Sequence, residues 1–217
     1  MVKAVIFDLD GTLLNTYEDL ANAVNYALHE NGFPEHDAEK YKIFAGNGTD
    51  MMITRALPEG ERNDETLQKV RKLYFEYYNA HSGECTRPYD GIVEMLSELK
   101  ACGLKLAVVS NKIDFMTRAV VKEYFGDGMF DFVTGQCDGI IPKPDPSMVL
   151  KVMKEFDVLP SECIFVGDSG VDAETGVNAK VLLTVGVLWG FRGKEELIGC
   201  GADVVISKAS QLLEYIK

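Results

Sequence analysis

Residues 5–13 read VIFDLDGTL, three apolar residues that pass directly into two aspartates and an Asp-Gly turn. The short β-branched and aromatic run is typical of a buried strand, so Asp8 and Asp10 stand at its exit. Side chains two positions apart on an extended chain point the same way, and the repulsion of two such carboxylates needs a cation, a proton or solvent. The pattern predicts a functional strand end; a solvated acidic turn is the alternative.

The composition is that of a globular protein with an acidic balance. Of the 217 residues 47% are hydrophobic and 26% charged, and 22 Lys and Arg stand against 34 Asp and Glu, a formal net charge of -12. This charge disfavours nucleic acid and anionic membranes as partners, and we expect neither. A small phosphorylated metabolite would need local help from lysines, backbone amides or a divalent cation.

Cysteine usage and the apolar runs indicate a cytoplasmic protein. The five cysteines are scattered without a Cys-x-x-Cys pair, which favours neither a disulfide framework nor a zinc site. The first apolar run is too short for a signal peptide, and we expect no membrane span. We expect a monomer or a weak homodimer.

Short apolar runs alternate with helical periodicity along much of the chain, the order expected of parallel strands joined by crossover helices. This predicts an α/β fold with a doubly wound, Rossmann-like parallel sheet. The predicted strands are residues 4–7, 104–109, 130–134, 163–166, 182–185 and 204–206.

The interval between the first two predicted strands is about 90 residues long, far more than one crossover helix needs. Most of it has helical periodicity, so we interpret residues 16–86 as an inserted α-helical cap domain, and residues 1–15 and 87–217 as the α/β catalytic core. A module inserted after the first strand would stand over the carboxyl edge of the sheet and act as a lid. An insertion that only stabilises the fold is the alternative.

Polar residues gather at the predicted strand ends, which meet in one crevice of a parallel sheet. Each could be a helix cap or a solvated loop residue by itself. Together they supply a carboxylate nucleophile, an acid or base, oxygen ligands for Mg²⁺ and donors for phosphate oxygens. They are Asp8, Asp10 and Thr12; Ser110, Asn111 and Lys112; Lys143; and Asp168 and Asp172.

In order and spacing these residues resemble the four motifs of the haloacid dehalogenase superfamily: DLDGT at 8–12, SN at 110–111, Lys143, and GDSGVD at 167–172. The resemblance spans the chain, including a helical cap between the first two motifs. It implies a phosphoric monoester hydrolase in which Asp8 attacks phosphorus to form an aspartyl-phosphate. Asp10 would protonate the leaving oxygen and then activate the hydrolytic water.

The resemblance also implies how cofactor and substrate are bound. Mg²⁺ would be held by the Asp8 carboxylate, the Asp10 backbone carbonyl and Asp168, with Asp172 acting directly or through water. The residues implied to hold the phosphoryl oxygens are Thr12, Ser110, Asn111 and Lys143. Pro144 and Pro146 stiffen the loop of Lys143, and a cis peptide bond within this loop is compatible with them.

Two further stretches, FAGNGT at 44–49 and LWGF at 188–191, resemble the phosphoglycolate phosphatase-like subgroup. Glycines permit close backbone approach to a ligand, so we predict that Gly46 and Asn47 contact the leaving group; a sharp turn between cap helices is the alternative. One departure is the sequence AKV at 179–181, which lacks the glycine that usually ends the preceding helix.

Several activities remain open within this resemblance. Residues 44–52 contain no Lys or Arg, which favours a small organic phosphate monoester such as 2-phosphoglycolate over inorganic pyrophosphate. Sugar phosphates, nucleotides and a phosphomutase reaction stay as alternatives. A non-enzymatic regulatory or binding protein is disfavoured, because such a member is expected to have lost one of its acids.

Overall fold

The computed structural model describes residues 1–216, in which eight strands are found. They are β1 (Ala4–Phe7), β2 (Leu14–Asn15), β3 (Arg87–Pro88), β4 (Lys105–Ile113), β5 (Phe132–Gln136), β6 (Cys163–Gly167), β7 (Leu183–Val187) and β8 (Val204–Ile206). Six form one sheet in the order β5-β4-β1-β6-β7-β8, and β2 pairs with β3. Every pairing within the six-stranded sheet is parallel.

All four residues of strand β1 are apolar, which suits a strand in the interior of the sheet, and all four are buried there. Phe7 is opposite Val108 of β4 on one side and Val166 of β6 on the other. From β1 the chain builds the sheet first toward β5 and then returns to add β6 on the opposite side. The carboxyl ends of β1 and β6 therefore border the topological switch point, where open α/β sheets bind ligands.

Helices cover both faces of this sheet, as the two-residue alternation of β1 requires. Val5 and Phe7 pack into one apolar cluster that includes Leu96, and Ile6 packs into another that includes Val152. The helices of this unit are α5 (Ile92–Ala101), α6 (Asp114–Phe125), α7 (Ser147–Phe156), α8 (Gly170–Ala179) and α9 (Lys194–Gly199). The predicted doubly wound α/β fold is confirmed.

Two local details differ from the sequence-based expectation. Strand β4 continues to Ile113, four residues beyond the predicted end at Val109, so its polar carboxyl end is part of the strand. Helix α8 does end in a left-handed residue, but the residue is Lys180, with φ 56°. The missing glycine is therefore replaced by a lysine in the same conformation, at some cost in backbone strain.

The chain packs as two compact units, divided between residues 14 and 15 and between residues 87 and 88. Residues 15–87 form the helical unit, which contains α1 (Tyr17–Glu30), α2 (Tyr41–Phe44), α3 (Thr49–Ala56) and α4 (Asp64–His81). The side chains of Tyr41, Tyr74 and Tyr78 are buried within it. No helix in residues 1–216 is long and apolar enough to cross a membrane.

A buried carboxylate joins the two ends of the helical unit. Asp19 of α1 accepts hydrogen bonds from the backbone N–H groups of Gly83, Cys85 and Thr86 at 2.9, 3.0 and 2.9 Å. The Thr86 hydroxyl donates a fourth, at 2.6 Å. Four donors satisfy this carboxylate without a cation, and they hold the segment that leaves the unit against the helix that enters it.

Candidate active site

Three aspartates meet at the topological switch point. The backbone N–H of Asp8 donates to Val166 O at 2.9 Å, which carries the pairing of β1 and β6 one residue past Phe7. Asp168 follows β6, and Asp172 lies in the first turn of α8. Carboxylate oxygens of Asp8, Asp168 and Asp172 lie within 4.8 Å of one another, and all three residues are buried. We call these three residues the carboxylate cluster.

Lys143 supplies a cation to the carboxylate cluster. Its Nζ lies 2.6 Å from Asp8 Oδ1 and 2.7 Å from Asp172 Oδ1, and its side chain is 2% exposed. Asn111 fixes the backbone of Lys143: its Nδ2 donates to Lys143 O at 3.0 Å, and its Oδ1 accepts from Lys143 N at 2.7 Å. The Lys143-Pro144 peptide bond is cis. The side chain of Asn111 thus supports the loop that places the ammonium.

The charges of the carboxylate cluster are not balanced by Lys143 alone. Burial and the nearby Asp172 raise the pKa of Asp8 to about 7 against the opposing effect of Lys143. Burial, Asp172 and Asp8 raise the pKa of Asp168 well above its ordinary value. Burial lowers the pKa of Lys143, but the charges of Asp172 and Asp8 outweigh it and the net shift is upward. Three carboxylates around one ammonium need protons or a further cation.

The donor chemistry of the carboxylate cluster fits Mg²⁺. All three side chains offer carboxylate oxygens, the ligands that a hard divalent cation prefers. A dication beside them would favour the ionised carboxylates that burial disfavours. The predicted contact of the Asp10 backbone carbonyl with Mg²⁺ stays a prediction.

Small residues and hydroxyls around the cluster hold the carboxylates in place. A Cβ added at Gly11 or Gly167 would overlap Asp168 or Asp172 respectively. The Thr12 hydroxyl donates to Asp168 Oδ1 at 3.4 Å, so it is directed at a carboxylate, and its predicted contact with phosphate stays a prediction. The Ser169 hydroxyl donates to Asp172 Oδ2 at 2.6 Å. Sequence reasoning gave Ser169 no role, although serine followed three residues later by an acid is a capping-box pattern.

The loop after β7 is a second part of the site that sequence reasoning missed. The backbone N–H of Phe191 donates to Asp168 Oδ2 at 2.7 Å, and Trp189 Nε1 donates to Thr12 O at 2.9 Å. Between them, a Cβ added at Gly190 would overlap Asp168 Cβ and Gly11 O. In the sequence, the LWGF stretch shows only a resemblance to a subgroup of the family. No local pattern shows that it packs on a loop near residue 12, because that contact is purely tertiary.

The polar end of β4 lies beside Asp10. Ser110 is buried, and its Oγ accepts from Lys112 N at 3.2 Å. Lys112 Nζ lies 3.3 Å from each carboxylate oxygen of Asp10. The structure thus places Asp10 against a lysine from the neighbouring strand. The phosphate-binding role of Ser110 stays a prediction.

Gly46 and Asn47 belong to the helical unit, in the loop between α2 and α3. The backbone of Gly46 is left-handed, with φ 110°, as its glycine identity allows. Arg55 of α3 contacts this loop: its Nη1 donates to Phe44 O at 2.8 Å and its Nη2 to Asn47 Oδ1 at 2.7 Å. The loop has no cation in its own sequence, yet the fold brings a guanidinium to it. The contact of Gly46 and Asn47 with the leaving group stays a prediction.

A doubly wound sheet with a buried carboxylate cluster and a lysine at its switch point has the arrangement expected of an enzyme active site. Residues 5–185 match the family of haloacid dehalogenase-like hydrolases. A phosphoglycolate phosphatase of Psychrobacter arcticus is 32% identical over 99% of this chain and 95% of its own, and one of Aquifex aeolicus is 31% identical over 99% and 97%. The crystal structure of a candidate phosphoglycolate phosphatase from Lactobacillus delbrueckii subsp. bulgaricus superposes with a TM-score of 0.93 at 34% identity, covering 99% and 98% of the two chains.

The chain belongs to the haloacid dehalogenase-like hydrolases. Within that family it is a phosphatase, a phosphoric monoester hydrolase. The family membership that the four motifs predict is confirmed, and so is the prediction of an enzyme rather than a non-enzymatic binding protein.

Proposed function

We propose that this phosphatase is Mg²⁺-dependent and hydrolyses a small organic phosphate monoester through an aspartyl-phosphate on Asp8. The observation that carries the proposal is the buried cluster of Asp8, Asp168 and Asp172 around Lys143 at the switch point. A nucleophilic carboxylate, a cation for the phosphoryl oxygens and ligands for a dication are the parts that such a transfer needs.

In the first half of the reaction, an Asp8 carboxylate oxygen attacks phosphorus while the bond from phosphorus to the leaving oxygen breaks. Asp10, two residues along the same loop, gives its proton to that oxygen, so the product leaves as an alcohol. The Lys143 ammonium lies 2.6 Å from Asp8 Oδ1, where it can orient the nucleophile and lower the repulsion between carboxylate and phosphate.

In the second half, the now ionised Asp10 takes a proton from a water molecule, and the hydroxide attacks phosphorus. The bond between phosphorus and the Asp8 oxygen breaks, which returns both aspartates to their starting states. Mg²⁺ held by Asp8, Asp168 and the Asp10 carbonyl, with Asp172 in support, would offset negative charge on the phosphoryl group. Asp168 is held for this role by Thr12 and Phe191.

The substrate that we propose is phosphoglycolate or a monoester of similar size. This rests on relatives named phosphoglycolate phosphatase that are about 30 to 35% identical over most of the chain. In this proposal the loop that contains Gly46 and Asn47 contacts the leaving group. Arg55 holds that loop through Asn47 Oδ1 and Phe44 O, so a guanidinium lies beside it.

Inorganic pyrophosphate hydrolysis is the second candidate, and Arg55 is the observation that favours it. A leaving phosphate carries more charge than glycolate, and the guanidinium beside the loop would suit it. Sugar phosphates and nucleotides are further candidate substrates, and a phosphomutase reaction is a further alternative.

The test is a screen of the purified protein against phosphoglycolate, pyrophosphate, sugar phosphates and nucleotides, ranked by kcat/KM with and without Mg²⁺. We expect phosphoglycolate to rank first and a chelator to abolish turnover. Acid quenching with radiolabelled substrate should trap label that hydroxylamine releases, the signature of an acyl phosphate. Turnover that persists without divalent cation, or label that remains in the Asp8→Asn variant, would contradict the mechanism; a different first substrate would correct only the substrate.

A further inference from the structure

Lys112 is a buried cation that the proposed steps do not use. Its side chain is 4% exposed, and its Nζ lies 3.3 Å from both Oδ1 and Oδ2 of Asp10, whose side chain is 18% exposed. Burying an ammonium costs free energy unless it is paired with an opposite charge, and the Lys112 ammonium has Asp10 as a partner. That partner is the residue proposed to move protons.

The backbone around Lys112 is fixed on several sides. Its N–H donates to Ser110 Oγ at 3.2 Å, and its carbonyl accepts from Thr117 Oγ1 at 3.1 Å. A Cβ added at Gly135 of β5 would overlap the Lys112 carbonyl oxygen, so the neighbouring strand lies directly against it. The long side chain therefore starts from a rigid point, and its ammonium is a defined reference for Asp10.

We propose that Lys112 is the positioning residue for Asp10, holding its carboxylate in the orientation from which it exchanges a proton with the leaving oxygen. The inference rests on the proposed function, in which Asp10 is the general acid and base. Equal distances to the two oxygens oppose rotation of the carboxylate. At 3.3 Å the contact is longer than the 2.7–2.9 Å typical of strong charge-assisted hydrogen bonds, so it orients the group without blocking its oxygens.

The two buried lysines of the site therefore have different partners. Lys143 contacts Asp8 and Asp172 at 2.6 and 2.7 Å. Lys112 contacts Asp10 at the longer distance and belongs to another strand end. In this division Lys143 serves phosphate binding and the nucleophile, and Lys112 serves proton transfer.

The division predicts a dependence on the leaving group. An alkyl phosphate releases a poor leaving group that needs a proton in the transition state, whereas p-nitrophenolate leaves readily without one. Loss of Lys112 should lower kcat/KM, which reports only the steps up to transfer of the phosphoryl group to Asp8, about 10- to 100-fold for an alkyl phosphate monoester and less than about 3-fold for p-nitrophenyl phosphate. The inhibition constant of inorganic phosphate should stay within about 2-fold if Lys112 does not bind the phosphoryl group.

The experiment compares wild type, Lys112→Met, Lys112→Arg, Asp10→Asn and the Met/Asn double variant on p-nitrophenyl phosphate and on the best alkyl phosphate of the screen. We expect Lys112→Arg to recover part of the alkyl phosphate activity. The double variant should be no slower than Asp10→Asn, because a positioning residue has no effect once its partner is gone. If Lys112→Met does not fold, Lys112→Gln is measured in its place, with thermal unfolding recorded for each variant.

Three results would overturn the inference: equal loss of kcat/KM on both substrates, a weakened phosphate inhibition constant at unchanged kcat, or additive losses in the double variant. Its failure is distinguishable from failure of the proposed function. If Asp8→Asn stays active, the aspartyl-phosphate mechanism itself is wrong. If Asp8→Asn is inactive and Asp10→Asn is most impaired on the alkyl phosphate, the mechanism stands, and the Lys112 variants alone decide the inference.

Discussion

Buried carboxylates occur in both units of the molecule, and they are treated in opposite ways. Asp19 in the helical unit has four donors, three of them backbone N–H groups, and serves as a structural tie. The carboxylate cluster in the α/β unit gathers three acids around one lysine, and burial together with the neighbouring acids raises the pKa values of Asp8 and Asp168. Burial of an acid alone does not mark function. A buried acid that lacks enough hydrogen-bond donors does indicate function, because its uncompensated charge can bind a ligand or take part in a reaction.

The largest effect that this comparison predicts is on the activity of Asp8→Asn. The variant keeps the shape of the side chain but loses the nucleophile, so kcat should fall about 10³-fold or more. Thermal unfolding of the metal-free variant should nevertheless occur at or above the wild-type temperature, because one source of repulsion in the carboxylate cluster is gone. Steady-state kinetics and calorimetry check the two parts. A variant that is both active and less stable would put Asp8 in the structural class with Asp19.

Asp19→Asn is the matched substitution in the other unit, with the opposite expectation. An asparagine NH₂ group would face N–H donors that now point at a carboxylate oxygen, so the free energy of unfolding should fall by about 2 to 3 kcal/mol. Urea denaturation measures the loss. Asp127→Asn, an exposed acid paired with Lys122, is the control and should change it by less than about 0.5 kcal/mol. A loss no larger than that of the control would contradict the structural role.

The pH dependence of the free energy of unfolding tests whether the charge of Asp8 in the carboxylate cluster is uncompensated. Burial and Asp172 raise the pKa of Asp8 from its usual 3.8 to about 7 in the folded protein without metal. The folded state therefore binds more protons than the unfolded chain between these values. Stability from this group is present below pH 4 and is lost as the pH rises toward 7, about 2 to 4 kcal/mol in all.

Mg²⁺ should reverse that loss, since a bound dication favours the ionised carboxylates. We expect the melting temperature to rise on adding Mg²⁺ more at pH 8 than at pH 5, measured by scanning calorimetry on protein first treated with chelator. Asp8→Asn should show a weaker pH dependence in the metal-free state. A Mg²⁺ shift of equal size at both pH values would mean that the cation does not act on the carboxylate cluster.

Much of this contrast was accessible from the sequence. Asp8, Asp168 and Asp172 were predicted together because parallel strands end at one edge of a sheet and because acids after apolar strands are otherwise hard to explain. The parallel, doubly wound sheet was predicted from the alternation of apolar runs with helical periodicity. The sequence predicted which reactive side chains are present, but not the neighbouring residues that hold them in place.

The rest depends on tertiary contacts that no local pattern encodes. The β4 strand was predicted to end at Val109 because the polar residues after it interrupt the apolar run, so the contact of Lys112 with Asp10 was missed. Trp189 and Phe191 reach the site from a loop after β7, far along the chain from the residues they contact. Arg55 lies two helical turns beyond Asn47 and joins its loop only once α3 has formed.

The Gly190→Ala variant tests whether the loop after β7 positions Asp168. The added methyl group would overlap Asp168 Cβ and Gly11 O, so Asp168 or the loop must shift. Small displacements of a catalytic group are costly, and we expect kcat to fall about 10- to 100-fold. Gly199→Ala is the control, because a Cβ at Gly199 has no atom within 4 Å. Kinetics at several Mg²⁺ concentrations check it; unchanged kcat and unchanged Mg²⁺ requirement in Gly190→Ala would show that the loop does not position Asp168.

The smallest effect is expected in the helical unit, from Asn47→Ala. Asn47 Oδ1 accepts from Arg55 Nη2 at 2.7 Å, so the variant loses both a polar side chain of the loop and a tie to α3. If this loop reads the leaving group, the ratio of kcat/KM between phosphoglycolate and pyrophosphate should change by about 3- to 10-fold, roughly the worth of one hydrogen bond. Activity on p-nitrophenyl phosphate should change less. Asn31→Ala, at the end of α1 in the same unit, controls for general loosening. An unchanged ranking of substrates in Asn47→Ala would assign this loop to structure, like Asp19, and would leave substrate choice to residues of the α/β unit.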